Sequence, residues 1–328
     1  MTAENRAEWA CYACGLAAPV LLWGAGASWL WILLGGVLAV GVYVLVTQLC
    51  PGSNLAAVTR QVFGPVWGRA ILWLQAAALI FGAGYLLRGT DHMVPNLSAG
   101  YPWLAIVLCI LALAGCWHGR KAAYASGAVL FWLVAITVGV VLLFCLPMLQ
   151  ARWMVPEGAP RQILGGLMAF LLPVVGLYKD GAAGQRCSWL HLLLVFLGAL
   201  VAFVTSACLS PRLAALETLP FFTLAAACRP LGYAARFDAI FCMTASVAIY
   251  CLLLVLLQFA RILTEEKKRW PMVVFICGVL AASFAAAVIP VSLLEAYFAL
   301  FWVFFPICCS IFYCGKNRKK GVDKGGKG

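Results

Sequence analysis

RQILGGLMAFLLPVVGLYKD, residues 161–180, is apolar enough to enter a bilayer, yet Gly165, Gly166, Pro173 and Gly176 interrupt the run. Proline removes a backbone N–H and its ring crowds the preceding turn, while glycine loosens a helix further. In lipid, the freed backbone groups are tolerated only where protein buries them or where they line a polar cavity. One other stretch has this character: residues 9–26, with Gly15, Pro19, Gly24 and Gly26. Each opens one half of the chain. Two short Gly/Pro-interrupted spans in corresponding places are the sequence pointer to a solute site between inverted repeats.

The composition sets the solvent. A hydrophobic content of 65% with only 10% charged residues lies outside the range of water-soluble domains. The apolar residues fall in runs of about 20, each able to cross roughly 30 Å of hydrocarbon. Outer-membrane strands would alternate polar and apolar residues, and these runs do not. No soluble domain fits, since the longest polar-containing stretch is 209–238. The N-terminal MTAENRAEWA has acidic residues and no basic n-region or A-x-A site, so no cleaved signal peptide is expected. The formal net charge is +12, but the basic residues occupy short loops and the tail, the pattern that orients membrane spans and not one that binds nucleic acid. The 15 Cys are scattered through apolar runs, where cysteine behaves as a small hydrophobe. Cys11-x-x-Cys14 and Cys308-Cys309 lack a His or carboxylate at ligand spacing, so neither a metal nor a cofactor is expected.

The fold class expected is an all-α polytopic membrane protein with ten transmembrane helices. The spans are 9–26, 29–49, 69–87, 102–117, 123–148, 162–178, 188–209, 237–261, 271–289 and 294–314. With the N-terminus inside, only Arg88, Arg152, Arg161, Arg212, Arg229 and Arg236 fall outside, and every other Lys and Arg is cytoplasmic. Both termini are then cytoplasmic. Ten spans split into 5+5 with the second set inverted, so that helices 1 and 6, the broken ones, correspond. A single transmembrane domain covers 1–314, with repeat one at about 9–148 and repeat two at about 162–314. Residues 315–328 are a basic tail, expected to be a disordered anchor attracted to anionic membrane lipid. Trp67, Trp103, Trp117, Trp153, Trp189 and Trp270 fall near span ends, as interfacial anchors do.

Two stretches carry a family likeness. LCPGSNLAAVTRQVFGPVWGR, residues 49–69, has Pro51, an amphipathic helix over 54–63, and Gly64-x-x-x-Gly68 leading into the third span. Arg236-Phe237-Asp238 leads into the eighth. Both resemble the endospore-germination permeases, the B subunits of germinant receptors, within the amino acid–polyamine–organocation superfamily. The resemblance implies two inverted five-helix repeats, a small nutrient bound at the breaks of spans one and six facing spans three and eight, and partner subunits. It also implies a spore inner membrane location. The acidic residue often found after the span-six glycine is absent here, where Leu177-Tyr178-Lys179 follows Gly176.

An amino-acid-like ligand needs donors for its carboxylate and acceptors for its ammonium, and unwound helix backbone supplies both. The candidate substrate-binding residues are Gly15, Pro19, Gly165, Gly166, Phe170 and Pro173 on the broken spans, with Gln75 and Tyr85 on span three and Thr244, Ser246 and Tyr250 on span eight. Gly165-Gly166 suits helix packing equally well. Thr244 and Ser246 suit interhelical packing or back-bonding to their own helix. Asp238 and Glu295 are expected as helix caps at the outer face. His118 and His191 are expected at the inner interface. No Asp, Glu, Lys or Arg lies near the middle of a span, so a proton relay has no obvious carrier. No nucleophile–base pair and no HExxH occur, so an enzyme is not expected. An ordinary amino-acid transporter of the same superfamily and a scaffold that has lost its ligand chemistry are the alternatives.

Overall fold

The computed structural model describes residues 3–22, 28–50, 55–93, 103–156, 162–174, 188–217, 219–227, 237–264, 269–286 and 288–325. Among them the regular structure is helical, with no strand. In chain order the helices are α1 (Ala3–Leu22), α2 (Trp29–Leu49), α3 (Leu55–Arg88), α4 (Trp103–Trp117), α5 (Arg120–Cys145), α6 (Gln162–Val174) and α7 (Ser188–Leu209). There follow α8 (Pro211–Leu216), α9 (Pro220–Ala227), α10 (Phe237–Thr264), α11 (Trp270–Ala285) and α12 (Val291–Ala299). α12 runs through a π-turn (Leu300–Phe304) into α13 (Phe305–Gly325). Six helical segments are long and apolar enough to cross a membrane, and α4, α6 and α11 are shorter apolar helices. This marks an integral membrane protein of helices.

α10 is the centre of the bundle. From Cys251 to Leu257 every residue is buried, as expected of a helix that is apolar all round. α1, α3, α4, α5, α9 and α11 pack around it. α5 is its opposite: Val129, Trp132, Ile136 and Leu143 recur near helical spacing and are each more than 60% exposed. Such a stripe would be a liability in water and faces hydrocarbon without cost.

The closest crossing is α2 on α6. A Cβ on Gly35 would stand 2.5 Å from the Ile163 carbonyl oxygen, and one on Gly166 would stand 3.1 Å from Ile32 Cα. Glycines on both partners let the two backbones touch. α3 is bent at Gly64 (φ 82°, ψ 173°), a conformation disfavoured for residues with a Cβ. The bend folds its first nine residues back, so that Gly68 meets Arg60 and a Cβ there would lie 2.8 Å from Arg60 Cα. Gly64 thus makes the turn and Gly68 the close approach, and the amphipathic helix expected over 54–63 is seen from Leu55.

Contacts tie helix ends to one another. Arg120 donates to Glu8 Oε1 (2.6 Å), Lys316 Nζ donates to the Gln61 carbonyl (3.1 Å), and the Arg269 guanidinium lies over the Trp117 ring (4.7 Å). Ser28 N–H donates to Gln162 Oε1 (3.2 Å), and Trp29 Nε1 donates to the Met154 carbonyl (3.3 Å). Gln150 N–H donates to the Ala207 carbonyl (3.1 Å), and Cys242 Sγ donates to the Met93 carbonyl (3.3 Å).

Several expectations are corrected. α1 is continuous through Gly15 and Pro19, and α6 through Gly165 and Gly166, so neither helix is broken at those positions. Pro19 forfeits only the bond to the carbonyl four residues back, that of Gly15, and neighbouring helices support the turn. Gly24, Gly26 and Gly176 lie outside the described residues. Glu295 is no cap: α12 begins at Val291 behind Pro290, so Glu295 sits in its second turn. His191 lies in the first turn of α7, at a span end as expected, but is fully buried against its neighbours. The tail is not disordered as far as Gly325, because α13 continues into it. The stretch 209–238 holds α8 and α9; Ser210 Oγ caps α8 by accepting from Leu213 N–H (3.3 Å), and Phe221 of α9 packs on Phe241 of α10. The Asp238 side chain, Pro51 and Arg236 lie outside the described residues.

Candidate functional site

The candidate site lies where α3, α6 and α12 meet. α3 presents Phe81, Tyr85 and Arg88, spaced four and three apart and so on one helix face. Opposite them α12 presents Leu293, Leu294, Ala296 and Tyr297. With Ile289 and Leu300 these residues and Phe81 line a cavity of about 460 Å³. Glu295 sits between two lining residues of α12. Gly165 of α6 meets Glu295, where a Cβ would stand 3.0 Å from Glu295 Oε1. Arg88 and Glu295 both act electrostatically on the Tyr85 hydroxyl. Tyr85, Arg88 and Glu295 are each half-buried. A guanidinium, a carboxylate and a phenol therefore act on one another on the helices that form the trough, while the lining itself is apolar. Sites for small amphipathic molecules combine a mostly apolar cavity with a few polar groups that fix orientation.

The residues predicted from sequence fall into separate groups. Tyr85 and Gly165 belong to this junction. Gln75 lies deeper on α3, fully buried, and is tied to the π-turn: its Nε2 donates to the Phe301 carbonyl (3.1 Å), and Trp302 Nε1 donates to the Gln75 carbonyl (3.1 Å). A π-turn shifts the backbone register by one residue, and here the carbonyl of Phe301 meets an amide from another helix. Among the described residues Gln75 Oε1 has no partner. Gly15 meets the backbone of α10, where its Cβ would be 3.0 Å from Leu252 Cα. Thr244 and Ser246 bond back to the carbonyls of Ile240 (2.8 Å) and Cys242 (2.7 Å) on their own helix. Tyr250 reaches Ser126 Oγ at 3.5 Å. Phe170 is fully buried between Gly36 of α2 and Gly198 of α7. Pro19 is buried in α1, and Pro173 lies in the last turn of α6. Gly166 faces α2 and not the junction.

Arg88, Glu295, Phe81 and Tyr297 were missed as a group. The signal was present in the spacing of 81, 85 and 88, but only the packing of α12 on α3 says which helix that face meets. Among the described residues no group of three or more His, Cys, Asp or Glu could hold a metal ion. Cys11 and Cys14 are buried, with Cys11 Sγ 3.9 Å from the Cys251 carbonyl.

No protein-family model and no curated protein matches this chain.

Proposed function

We propose that the chain is a permease-like membrane protein that binds a small nutrient, of amino-acid type, as part of a germinant receptor in a spore inner membrane. The observation that carries the ligand reading is the α3–α6–α12 junction. An amino acid brings an ammonium, a carboxylate and a side chain; Glu295, Arg88 with Tyr85, and the apolar trough are complementary to the three. The germination role rests on the resemblance of residues 49–69 and 236–238 to the germination permeases.

The ten-span, 5+5 inverted architecture is supported by the helix pairing. Numbering α1 to α7 as spans one to seven, α10 and α11 as eight and nine, and α12 with α13 as ten, four pairings recur five spans on, although α1 on α10 has no comparable α6-on-α3 counterpart among the described residues. α1 packs on α5, and α6 on α12; α2 packs on α6, and α7 on α1; α3 packs on α11, and α10 on α4; α10 packs on α5, and α3 on α13. An inverted repeat imposes this recurrence.

The test is ligand-induced thermal shift of the full-length protein in nanodiscs. Amino acids with apolar side chains should raise the melting temperature, and their deaminated or decarboxylated analogues should not. Glu295→Gln should abolish the shift while leaving the ligand-free melting temperature within a few degrees. A shift of unchanged size in both Glu295→Gln and Tyr85→Phe would sink the assignment of the site. Uptake into proteoliposomes would then separate a transporter from a sensor, since the fold alone does not.

A further inference from the structure

A buried imidazole stands apart from the solute junction. His191, in the first turn of α7, is 0% exposed, and neither Nδ1 nor Nε2 has a hydrogen-bond partner among the described residues. A buried polar group left without a partner is rare enough in folded proteins to need an account. An ionisable residue inside a membrane span is a functional candidate by default. The ring of Tyr43 from α2 stands edge-on to it, with centroids 5.9 Å apart, and the Phe170 carbonyl of α6 faces it, near enough to act on a ring N–H but outside strict hydrogen-bond geometry. Among the described residues, no charged side chain of α1, α5, α8 or α9, the other helices packed on α7, acts on the ring. The amino-terminal turn of α7 adds the positive end of a helix dipole, which opposes an imidazolium.

We propose that His191 is an intramembrane proton-binding site, neutral in the packed conformation and protonated when α7 moves off α2. The proton comes from bulk water and is held on an imidazole nitrogen; no bond other than N–H forms. The interface that must loosen is continuous. Val195 of α7 lies against Gly36, Phe170 lies between Gly36 and Gly198, and Tyr43 meets His191. Acid therefore favours the open arrangement, because charge is tolerated only where water reaches the ring. This site does not depend on the solute junction, and it places a buried protonatable group in the first turn of a span.

The experiment is hydrogen exchange of α7 in the full-length protein in nanodiscs between pH 7.5 and 5, corrected for the intrinsic pH dependence of exchange. In the wild type the opening constant of the amino-terminal half of α7 should rise about tenfold per pH unit at the acid end, the slope of a single proton. His191→Gln and His191→Phe should each flatten that slope, and His118→Gln should not. Retention of the wild-type slope in either His191 variant overturns the proposal, as does a flat wild type. Should both variants fail to fold, imidazole ¹⁵N shifts of the wild type decide: protonation of His191 with the midpoint of opening supports the site, and a ring neutral to pH 5 overturns it. Ligand thermal shift at pH 7.5 reads the solute junction separately, so failure there leaves this outcome untouched.

Discussion

Gly35 and Gly166 hold α2 and α6 at backbone contact, and a side chain on either has nowhere to go. Gly35→Leu and Gly166→Leu should each cost several kcal/mol, in the range of severe overpacking, because the neighbouring atoms are backbone and cannot rotate away. Detergent-resistant folding and yield should both fall. Gly41 and Gly139 are the controls, since a Cβ on either meets nothing within 4 Å. Alanine there should be neutral or stabilising by about 0.5–1 kcal/mol, the helix propensity gained. Equal losses at all four positions, measured by thermal melting in one detergent, would show that the crossing is not as tight as described. Gln75 makes a different case. Gln75→Leu loses a bond to the Phe301 carbonyl but also removes an unpartnered Oε1, so the net change should stay within about 1 kcal/mol. Trp302→Ala removes a fully buried ring packed on Phe259 and Phe298 and should cost about 3–5 kcal/mol. Reversible unfolding in mixed micelles ranks the two.

Among the elements, the bent α3 and the paired ends of α1 and α5 are most open to test. Gly64→Ala forces a Cβ into φ 82° and should cost about 1–3 kcal/mol. The same substitution at Gly41, in an ordinary helical turn, should not. At α1 and α5, Glu8 accepts from Arg120 at 2.6 Å and from Tyr12 at 3.3 Å, while the Arg120 guanidinium lies 5.4 Å from the Tyr124 ring centroid. Arg120→Met should cost about 1.5–3 kcal/mol, the worth of a charged hydrogen bond left half-made. A cycle with Glu8→Gln should return a coupling energy well above zero that shrinks in high salt; additive losses would mean that the pair is incidental. The helices themselves were legible because lipid permits little besides long apolar runs. The helix over 54–63 and the glycines at 64 and 68 were legible, but the bend at Gly64 that joins that helix to the third span was not. The continuity of α1 was not: glycine and proline report a local weakness, and whether the helix breaks depends on neighbours that close over it, here the backbone of α10 at Leu252. Nor was the burial of His191, because position along a span says nothing of which face meets lipid. The site was half legible for the same reason. Tyr85 and Gly165 were found by type, while Arg88 and Glu295 looked like span ends until α12 was seen to start at Val291.

For the whole molecule, the proposed ten alternating spans make a prediction about sidedness. In that arrangement Glu8 with Arg120, Lys316 with Gln61 and Arg269 with Trp117 would share one face. Ser28 with Gln162, Gln150 with Ala207 and Met93 with Cys242 would share the other. Deleting any one span would set the ends that follow it on the wrong side of those that precede it. The first face carries Arg120, Lys121, Arg269 and Lys316, and positive charge is retained on the cytoplasmic side. A reporter fused after Gly328 should therefore read as cytoplasmic. One inserted after Leu216, a residue 83% exposed, should read as exterior if ten spans alternate. An exterior signal at Gly328 would overturn the span count, and like signals at both positions would mean that the segment from α10 to α13 crosses an even number of times. Three spans lie between those sites, α10, α11 and the joined α12–α13, so opposite signals are the only outcome compatible with ten.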